Sequence, residues 1–514
     1  MPSDLAWLVV LLPLLAALWI AIKSLAGRGV GEAGERTTER AALWSLAGSL
    51  TLLLLIDLQA LLTMAPGQLV YGVWLESGTL QVAISFTLDG LGLAMATLVA
   101  LLCLISLRFS VNYMHRETGF HRFFMVMSLF SGAMLLIVTA GNAVLTFVGW
   151  ELAGLSSYLL IGYAYERRTA TLNATRVFVT NRIGDAGFIL GIALAFLWIG
   201  GVEWSQLVVA ASEQETRLLG VIGLAFLLAA MVKSAQLPFT TWISRALEGP
   251  TPSSTIFYGS LMVHAGVYLL LRLEPLFMQV PVLLVLLALV GLSSALYGWL
   301  CGLVQVDIKS ALIFSTISQV GLMFLECGLG LFQLAAWHLV LHAIWRAYQF
   351  LHAPALLQLL DRPQRRAPQW LRRQPRLYTA LLQRLWLDSI ADWLLLRPTQ
   401  SLAQDLQDFD RQVVTRMIGL PDETGAVSAL AEWRKERGEG RDTVGRGRGM
   451  AGRLIEWTAT MLYWFEQHLV LQGGGEGLKR AIDLVGHYLQ QVEYLLGQPR
   501  YLLLLIMATF VVIL

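Results

Sequence analysis

The chain has 514 residues, of which 56% are hydrophobic and only 14% are charged, and its formal net charge is +2 at pH 7. The mean hydropathy of +0.63 excludes an ordinary soluble domain of this length, because such a domain needs a more strongly charged surface. The small net charge provides no basic field, so the composition predicts no nucleic-acid partner.

Runs of roughly 20 mostly apolar residues predict membrane-spanning helices, because that length crosses the hydrocarbon core of a bilayer. The first run, from Leu5 to Ile22, has no basic segment before it and no small-residue cleavage site after it, which favours a true span over a signal peptide. We therefore expect an all-α polytopic membrane protein. Its predicted spans lie near 5–27, 41–63, 87–107, 122–141, 144–164, 182–200, 218–235, 253–273, 279–300, 311–327 and 334–358, with a short last one at 499–514.

The loops between these spans alternate in charge. Arginine and lysine are concentrated at 28–40, 108–122, 167–176, 245 and 309, whereas the loops at 64–86, 141–143, 200–217 and 327–333 contain almost none, with Arg217 the main exception. Short loops rich in these residues stay in the cytoplasm. The alternation predicts that the basic loops lie inside and the N-terminus outside, in a multi-pass protein of the cell inner (plasma) membrane.

The composition changes after Ala355. Residues 361–384 are rich in arginine, which predicts a cytoplasmic linker, and residues 390–497 mix apolar and charged positions, which predicts amphipathic helices on the membrane surface, interrupted by the polar stretch 436–450. A solvated tail is the alternative. The predicted divisions are N-terminal transmembrane helices (1–85), a core (86–360), the linker with amphipathic helices (361–497) and a C-terminal membrane helix (498–514).

Ionisable residues within the predicted spans need a reason, because each costs at least about 2.5 kcal/mol at the centre of a spanning helix. His338, His342 and Arg346 recur at i, i+4 and i+8, which places them on one helical stripe about 12 Å long. A single buried histidine more often holds two helices together, but the whole set is typical of a proton relay. The candidate relay residues are Glu151, Asp185, Lys233, His264, His338, His342 and Arg346.

The chemistry of these side chains fits a relay. A lysine in apolar surroundings releases its proton readily, whereas a nearby carboxylate favours its charged form, so moving Glu151 would switch Lys233 between the two states. Imidazoles exchange protons near neutral pH, but Arg346 keeps its proton and only biases its neighbours. Pro238 and the GPTP stretch at 249–252 predict broken helices of the kind that line ion paths, although GPTP is also typical of an ordinary loop.

Other chemistries find no support in the motifs. The three cysteines, Cys103, Cys301 and Cys327, lie far apart in or beside apolar runs, which predicts small buried hydrophobic residues rather than metal ligands. No strand–GxGxxG–helix fingerprint is present, and QGGGEGLK at 472–479 lacks the ending of a phosphate-binding loop. We therefore expect no cofactor in this chain, with dinucleotide oxidation, iron–sulfur chemistry and ATP hydrolysis on other chains.

The chain resembles the antiporter-type subunits of respiratory complex I, in particular subunit L (NADH dehydrogenase subunit 5), with relatives in Mrp cation antiporters and DabB-type inorganic-carbon pumps. The resemblance is close over about 80–360, and DSIADWLLLRPTQSLA at 388–403 is similar to the segment that precedes the long lateral helix of that subunit. The matching stretches are FTLDGLG (86–92), GWELAGLSSYLLIGY (149–163), TNRIGDAGFILG (180–191), KSAQLPFTTWISRALEGPTPSS (233–254), DIKSALIFSTISQVGLMF (307–324) and HLVLHAIWRAYQFL (338–351).

This resemblance implies two inverted five-helix repeats, roughly spans 4–8 and 9–13, each with a broken helix. It implies that Glu151 and Lys233 are the paired glutamate and central lysine, that Asp185 is the aspartate of the following span, and that His338 and His342 are the histidines of the connecting helix. 

The sequence also departs from the family pattern. Arg346 stands where the family usually has lysine, which argues against proton transfer through that position. His264 stands where relatives have threonine or lysine, and Tyr258 occupies a position often held by histidine. The spans after 360 that complete the second repeat have no counterpart, so the second half-channel is either truncated or supplied by a partner.

Three functions remain open at this point. The chain is a proton-translocating subunit of a complex I-like NADH:quinone oxidoreductase, a DabB-type subunit that energises carbon dioxide or bicarbonate uptake, or a structural anchor that does not conduct. In each case we expect other membrane subunits as partners and a bilayer around the chain, with protons, or alternatively sodium ions, as the transported species in the first two.

Overall fold

The structure, a computed structural model, describes residues 2–27, 31–78, 80–356 and 367–409, together with Trp457 and Met461. The chain divides into two compact units, Met1–Arg397 and Pro398–Leu514. Within the described residues, ten helical segments are long and apolar enough to cross a membrane, which confirms the all-α polytopic fold class.

In chain order, the helices and strands are α1 (Ala6–Leu25), α2 (Glu32–Leu62), β1 (Gly67–Ser77), β2 (Leu80–Leu88), α3 (Gly90–Tyr113), α4 (Phe120–Thr139), α5 (Ala143–Ile161), α6 (Arg168–Ile199), α7 (Trp204–Glu213), α8 (Thr216–Lys233), α9 (Thr241–Arg245), α10 (Thr251–Ser254), α11 (Ala265–Arg272), α12 (Glu274–Met278), α13 (Pro281–Gly302), α14 (Ile308–Gly328), α15 (Phe332–Leu356), α16 (Gln369–Arg372), α17 (Pro375–Leu382), α18 (Leu387–Ala391) and α19 (Arg397–Phe409).

Two helices begin well before the apolar runs that predicted them. The helix α2 begins at Glu32 rather than near 41, and α6 begins at Arg168 rather than near 182. Their first turns are helical but too polar for a hydropathy criterion to include. In α2 this polar part has a packing role, since the buried Glu35 contacts the Nδ1 atom of His115 at 2.7 Å.

The segment 64–86, predicted as a loop, contains an antiparallel hairpin. The strands β1 and β2 pair from Gly67 opposite Leu88 to Ser77 opposite Leu80. Both strands are rich in β-branched and aromatic residues, which favour extended backbone. The chain then enters α3 through Asp89, whose side chain accepts a hydrogen bond from the backbone nitrogen of Gly92 (2.8 Å).

Polar contacts join the loops at each end of the bundle. At the end that carries the basic loops, Arg116 forms an ion pair with Glu32 (3.1 Å). At the opposite end, Glu203 accepts hydrogen bonds from Ser85 (2.8 Å), Gln68 (2.6 Å) and Asn142 (3.1 Å). Burial raises the pKa of Glu203, while these three hydrogen bonds act in the other direction. The charge alternation along the sequence therefore corresponds to two chemically different ends.

The helix break predicted at Pro238 is present, whereas the GPTP stretch (249–252) lies at the start of α10. The helix α8 ends at Lys233, and the chain turns through Ala235, whose φ is +51°, before α9 begins. The next span changes geometry along its length, from α10 through a π-helical turn (Thr255–Ser260) and a 3₁₀ turn (Met262–His264) to α11. These irregular stretches put Lys233 and His264 at points where regular helical hydrogen bonding is interrupted.

The remaining described residues, 367–409, contain four short helices, of which α19 is the longest at 13 residues. Within the first unit, Asp388 accepts a hydrogen bond from Arg245 (2.8 Å) and Asp392 accepts one from Arg176 (2.8 Å). Of the amphipathic helices predicted over 390–497, the part after 409 lies outside the described residues apart from Trp457 and Met461, as do the last span at 499–514 and QGGGEGLK. The predicted division of the chain into four segments stays a prediction.

Glycines allow α13 and α14 to pack at backbone distance. A Cβ atom added to Gly291 would lie 2.3 Å from the backbone nitrogen of Leu325 and 2.6 Å from the carbonyl oxygen of Gly321. Ser318 donates a hydrogen bond to the carbonyl oxygen of Ala295 across the same contact (2.9 Å). Small residues at such crossings are the usual means of holding membrane helices together.

We expect Gly291→Ala to lower the melting temperature of the detergent-solubilised protein by several degrees. The added methyl group forces α13 away from α14, and overpacking of this kind costs about 1–3 kcal/mol. Gly220→Ala is the control, because its Cβ would lie 3.6 Å from Val280 and alanine favours the helix. Equal melting temperatures for the two variants would contradict the packing account.

Candidate functional site

Four ionisable side chains from three helices form the first part of the candidate site. Glu151 lies near the middle of α5, Arg182 and Asp185 lie three residues apart on α6, and Lys233 is the last residue of α8. The Nη1 atom of Arg182 donates to Oε2 of Glu151 (2.5 Å), and its Nη2 atom lies 2.8 Å from Oδ2 of Asp185. One guanidinium therefore neutralises two carboxylates.

Lys233 is held in a different way. Its side chain is 1% exposed, its Nζ atom donates to the carbonyl oxygen of Trp150 (3.0 Å), and the same atom lies 4.8 Å from the centre of the Trp150 ring. The indole nitrogen of Trp150 donates in turn to Oδ1 of Asp185 (3.0 Å). Trp150 thus connects the lysine to the carboxylate cluster.

This geometry corrects the expected direct pairing of Glu151 with Lys233. In the structure Glu151 pairs with Arg182, and its second oxygen, Oε1, is buried without a hydrogen-bond partner among the described residues. Lys233 still interacts electrostatically with both Asp185 and Glu151. A Cβ atom at Gly154 would lie at ordinary contact distance from both cations, 3.5 Å from Arg182 and 3.6 Å from Nζ of Lys233.

A second group joins the 3₁₀ turn before α11 to α15. Nε2 of His264 lies 2.9 Å from Nδ1 of His342, and Nε of Arg346 donates to Nε2 of His342 (3.1 Å). The same guanidinium donates to Gln349 (2.8 Å) and to Ser315. The two imidazoles and Arg346 are buried, so the predicted stripe on α15 faces protein from His342 onward.

These contacts fix the positions of protons. Because an arginine nitrogen only donates, Nε2 of His342 accepts and carries no proton. Neutral His342 therefore carries its proton on Nδ1 and donates it to Nε2 of His264. The hydrogen bonds run in one direction, from Arg346 through His342 to His264.

His338 has partners of its own. Its Nδ1 atom lies 2.9 Å and 3.2 Å from the two carboxylate oxygens of Glu326, and its Nε2 atom lies 2.9 Å from Oε1 of Gln319. The His338 and His342 rings are one helical turn apart, with centroids 6.1 Å apart and planes nearly perpendicular. 

The two groups meet where the helices are broken. In the described part of the chain no hydrogen bond joins Lys233 to His264 directly. Their immediate neighbours do touch, since Ser234 donates to the carbonyl oxygen of Val263 (2.7 Å). The broken end of α8 and the 3₁₀ turn before α11 are therefore in contact beside both side chains.

Sequence reasoning missed three contributors to this arrangement. Arg182 lies at the start of the span predicted at 182–200, and its i, i+3 spacing to Asp185 indicates a shared face. Glu326 lies near the end of the span predicted at 311–327, and Trp150 carries no charge. The three cysteines are free and buried, as predicted.

Two protein-family models match the chain. The model for NADH-Ubiquinone oxidoreductase (complex I), chain 5 N-terminus matches residues 74–124, and the model for NADH:quinone oxidoreductase/Mrp antiporter, TM, matches residues 140–359. The second match contains all seven candidate residues together with Arg182 and Glu326.

Among curated relatives, NADH-quinone oxidoreductase subunit L of Mycobacterium tuberculosis is 38% identical over 362 residues, which cover 70% of this chain and 56% of the relative. NADH-ubiquinone oxidoreductase chain 5 of Rhizopus stolonifer is 35% identical over 69% of this chain and 53% of the relative. The chain thus spans about half the length of the curated relatives it matches.

The fold is also found in a solved structure. The Mrp complex from Dietzia sp. contains a chain that aligns with 99% of this chain and 62% of its own length, at a TM-score of 0.62 and 21% sequence identity. The likeness shows a shared fold. Taken with the family models and the relatives, it places this chain in the antiporter-like family of membrane subunits that complex I and Mrp antiporters have in common.

Proposed function

We propose that this chain is a proton-translocating subunit of a complex I-like NADH:quinone oxidoreductase assembly, and that Glu151, Lys233 and the histidines of α11 and α15 carry the proton. The observation that carries the proposal is the environment of Lys233. Lys233 is 1% exposed and donates one hydrogen bond to a carbonyl group, and two carboxylates nearby are held by another cation. We infer that its charged and neutral forms are close in free energy.

Arg182 provides the means of switching. While Glu151 pairs with Arg182, none of the described carboxylates is hydrogen-bonded to Lys233. Burial then disfavours the charged form of the lysine. When the carboxylate of Glu151 turns from Arg182 toward Lys233, the charged form of the lysine is favoured. Asp185 stays near both cations and keeps the local charge balanced.

The histidines continue the path. When Arg346 releases Nε2 of His342 and a proton is added there, His342 passes its Nδ1 proton to Nε2 of His264. His264 then gives the proton on its Nδ1 to Lys233. A proton that leaves Lys233 follows the same atoms in the opposite order. Arg346 ends the buried path, since it keeps its own proton and fixes the orientation of His342.

Partner subunits complete this account. The Glu151–Arg182 pair is partly exposed at the side of the bundle, with side-chain exposures of 28% and 37%, which fits coverage by a neighbouring membrane subunit. The proposal assigns no cofactor to this chain and places quinone reduction on other chains. It orients the basic loops toward the cytoplasm and the N-terminus outside, in the inner (plasma) membrane.

The alternatives stay open to test. The relatives named above are NADH- and quinone-linked subunits or Mrp proteins, so the inorganic-carbon function stays a prediction. A non-conducting anchor and sodium transport are outcomes of the experiment below.

We expect Lys233→Ala and Glu151→Gln each to slow proton flux at least about tenfold. The first removes the amine that carries the proton, and the second removes the carboxylate that controls its release. The measurement is the response of a pH-sensitive dye inside vesicles that contain the reconstituted complex, under an imposed potential and without sodium. Lys23→Ala and Glu213→Gln are matched controls outside the site and should transport like wild type. Wild-type flux in Lys233→Ala would favour the anchor, and flux that requires sodium would replace the proton as the transported ion.

Arg182→Met is expected to slow flux to a similar degree for a different reason. Without Arg182 the carboxylate of Glu151 pairs permanently with Lys233, which then holds its proton. The double variant Arg182→Met/Glu151→Gln should be no slower than Glu151→Gln alone, since the trapping carboxylate is gone. Arg217→Met, at an exposed position on α8, is the control. Wild-type flux in Arg182→Met would contradict the switch.

A further inference from the structure

Glu326 is a carboxylate within a membrane-spanning helix that the path described so far does not use. It lies two residues before the end of α14, and its side chain is 18% exposed. Its partner, His338, is 20% exposed and lies in the second turn of α15. Placing a carboxyl group and an imidazole inside a membrane-spanning bundle is costly, so a functional role is expected for this pair as for the other intramembrane ionisable groups.

The contacts of His338 imply a mobile proton. The amide oxygen of Gln319 accepts a hydrogen bond, so Nε2 of His338 carries a proton. The contact of 2.9 Å between Nδ1 and Glu326 then requires one further proton, located either on the imidazole or on the carboxyl group. The pair holds one proton that crosses between two atoms within hydrogen-bond distance.

The position of the pair gives this proton a destination. Lys309 and Glu326 lie at opposite ends of α14, separated by about 25 Å at 1.5 Å per residue. The loop that follows Glu326, residues 329–331, belongs to the end that is poor in lysine and arginine. Glu326 therefore lies close to the aqueous face opposite the basic loops.

Arg346 directs the proton toward this pair. It occupies Nε2 of His342, and the next imidazole beyond it on α15, His352, is exposed and lies ten residues, about 15 Å, from His342. In the other direction the neighbouring imidazole is His338, whose ring centroid is 6.1 Å away. Because Nδ1 of His342 bonds His264, one water molecule bridges the two rings from Nε2 when Arg346 releases that atom.

We propose that Glu326 is the terminal proton-carrying residue of the path and exchanges protons between His338 and water at the lysine- and arginine-poor face. The proton passes from Nδ1 of the His338 imidazolium to the Glu326 carboxylate, leaving neutral histidine and a neutral carboxyl group. The carboxyl group then gives the proton to water and becomes ionised again. Run in reverse, the same steps take up a proton. The inference rests on the proposed function, since it supplies an exit for that path.

The test uses the full chain in its membrane complex, reconstituted in vesicles as above. Glu326→Gln keeps the shape and a hydrogen bond to His338 but carries no exchangeable carboxyl proton, and we expect it to slow flux at least about tenfold. Glu326→Asp keeps the carboxyl group and should restore most of the flux. Glu274→Gln is the matched control, because Glu274 is a partly buried carboxylate at the same end that belongs to no proposed path.

The outcomes separate this inference from the proposed function. Slow Glu326→Gln with near-normal Glu326→Asp and Glu274→Gln supports it. Normal flux in Glu326→Gln while Lys233→Ala is slow overturns it and leaves the proposed function standing, whereas normal flux in Lys233→Ala overturns the proposed function itself. Equal slowing by Glu326→Gln and Glu274→Gln also overturns it, because any surface carboxylate would then suffice.

Assembly of each variant is checked by the yield of intact complex. If Glu326→Gln fails to assemble, carbodiimide, which reacts with protonated carboxyl groups, is applied to the wild-type complex, and modified Glu326 is quantified by mass spectrometry. Loss of flux in proportion to modification of Glu326 supports the inference, and full flux at complete modification overturns it.

Discussion

The pairing of Arg182 with two carboxylates determines the environment of Lys233 and hence the proposed proton path. One guanidinium binds both Glu151 and Asp185, which leaves Lys233 with a carbonyl group and an aromatic face as its direct contacts. Charges in an apolar bundle are tolerated only when they are paired, so this distribution makes the proton on Lys233 easy to remove and easy to replace. A direct ion pair between Glu151 and Lys233 would hold that proton in place.

The backbone is shaped to make this arrangement possible. The end of α8 and the 3₁₀ turn before α11 bring Lys233 and His264 to neighbouring, irregular stretches of chain. Glycines at the α13–α14 contact hold the helix that carries Glu326 close to its neighbour. In the second group Arg346 donates to Nε2 of His342, and His338 is the imidazole one turn away from His342 on α15.

Local sequence signals predicted ten of the eleven spans that fall on described residues and the helix break near Pro238, because apolar length and proline each have a direct physical cost. The span predicted at 334–358, which corresponds to α15, is not among the ten, and the roles of the seven candidate side chains stay a prediction. The hairpin over 67–88 was not predicted, because strand pairing depends on contacts between two segments and is not visible in the composition of either one. The partner of Glu151 was predicted as Lys233, and the structure shows Arg182, since distances between helices are set by packing and not by spacing along the chain. Glu326 becomes a candidate only through its contact with His338, and that contact joins two helices across a turn.

Proton transfer through this chain requires a continuous, hydrated path between the carboxylate–lysine group and the histidine group. A structure of the complex in lipid, at a resolution that shows ordered water, tests it most directly. We expect water between Nζ of Lys233 and His264, and between His342 and His338. Apolar side chains filling both gaps, with no water between the ionisable groups, would contradict the account.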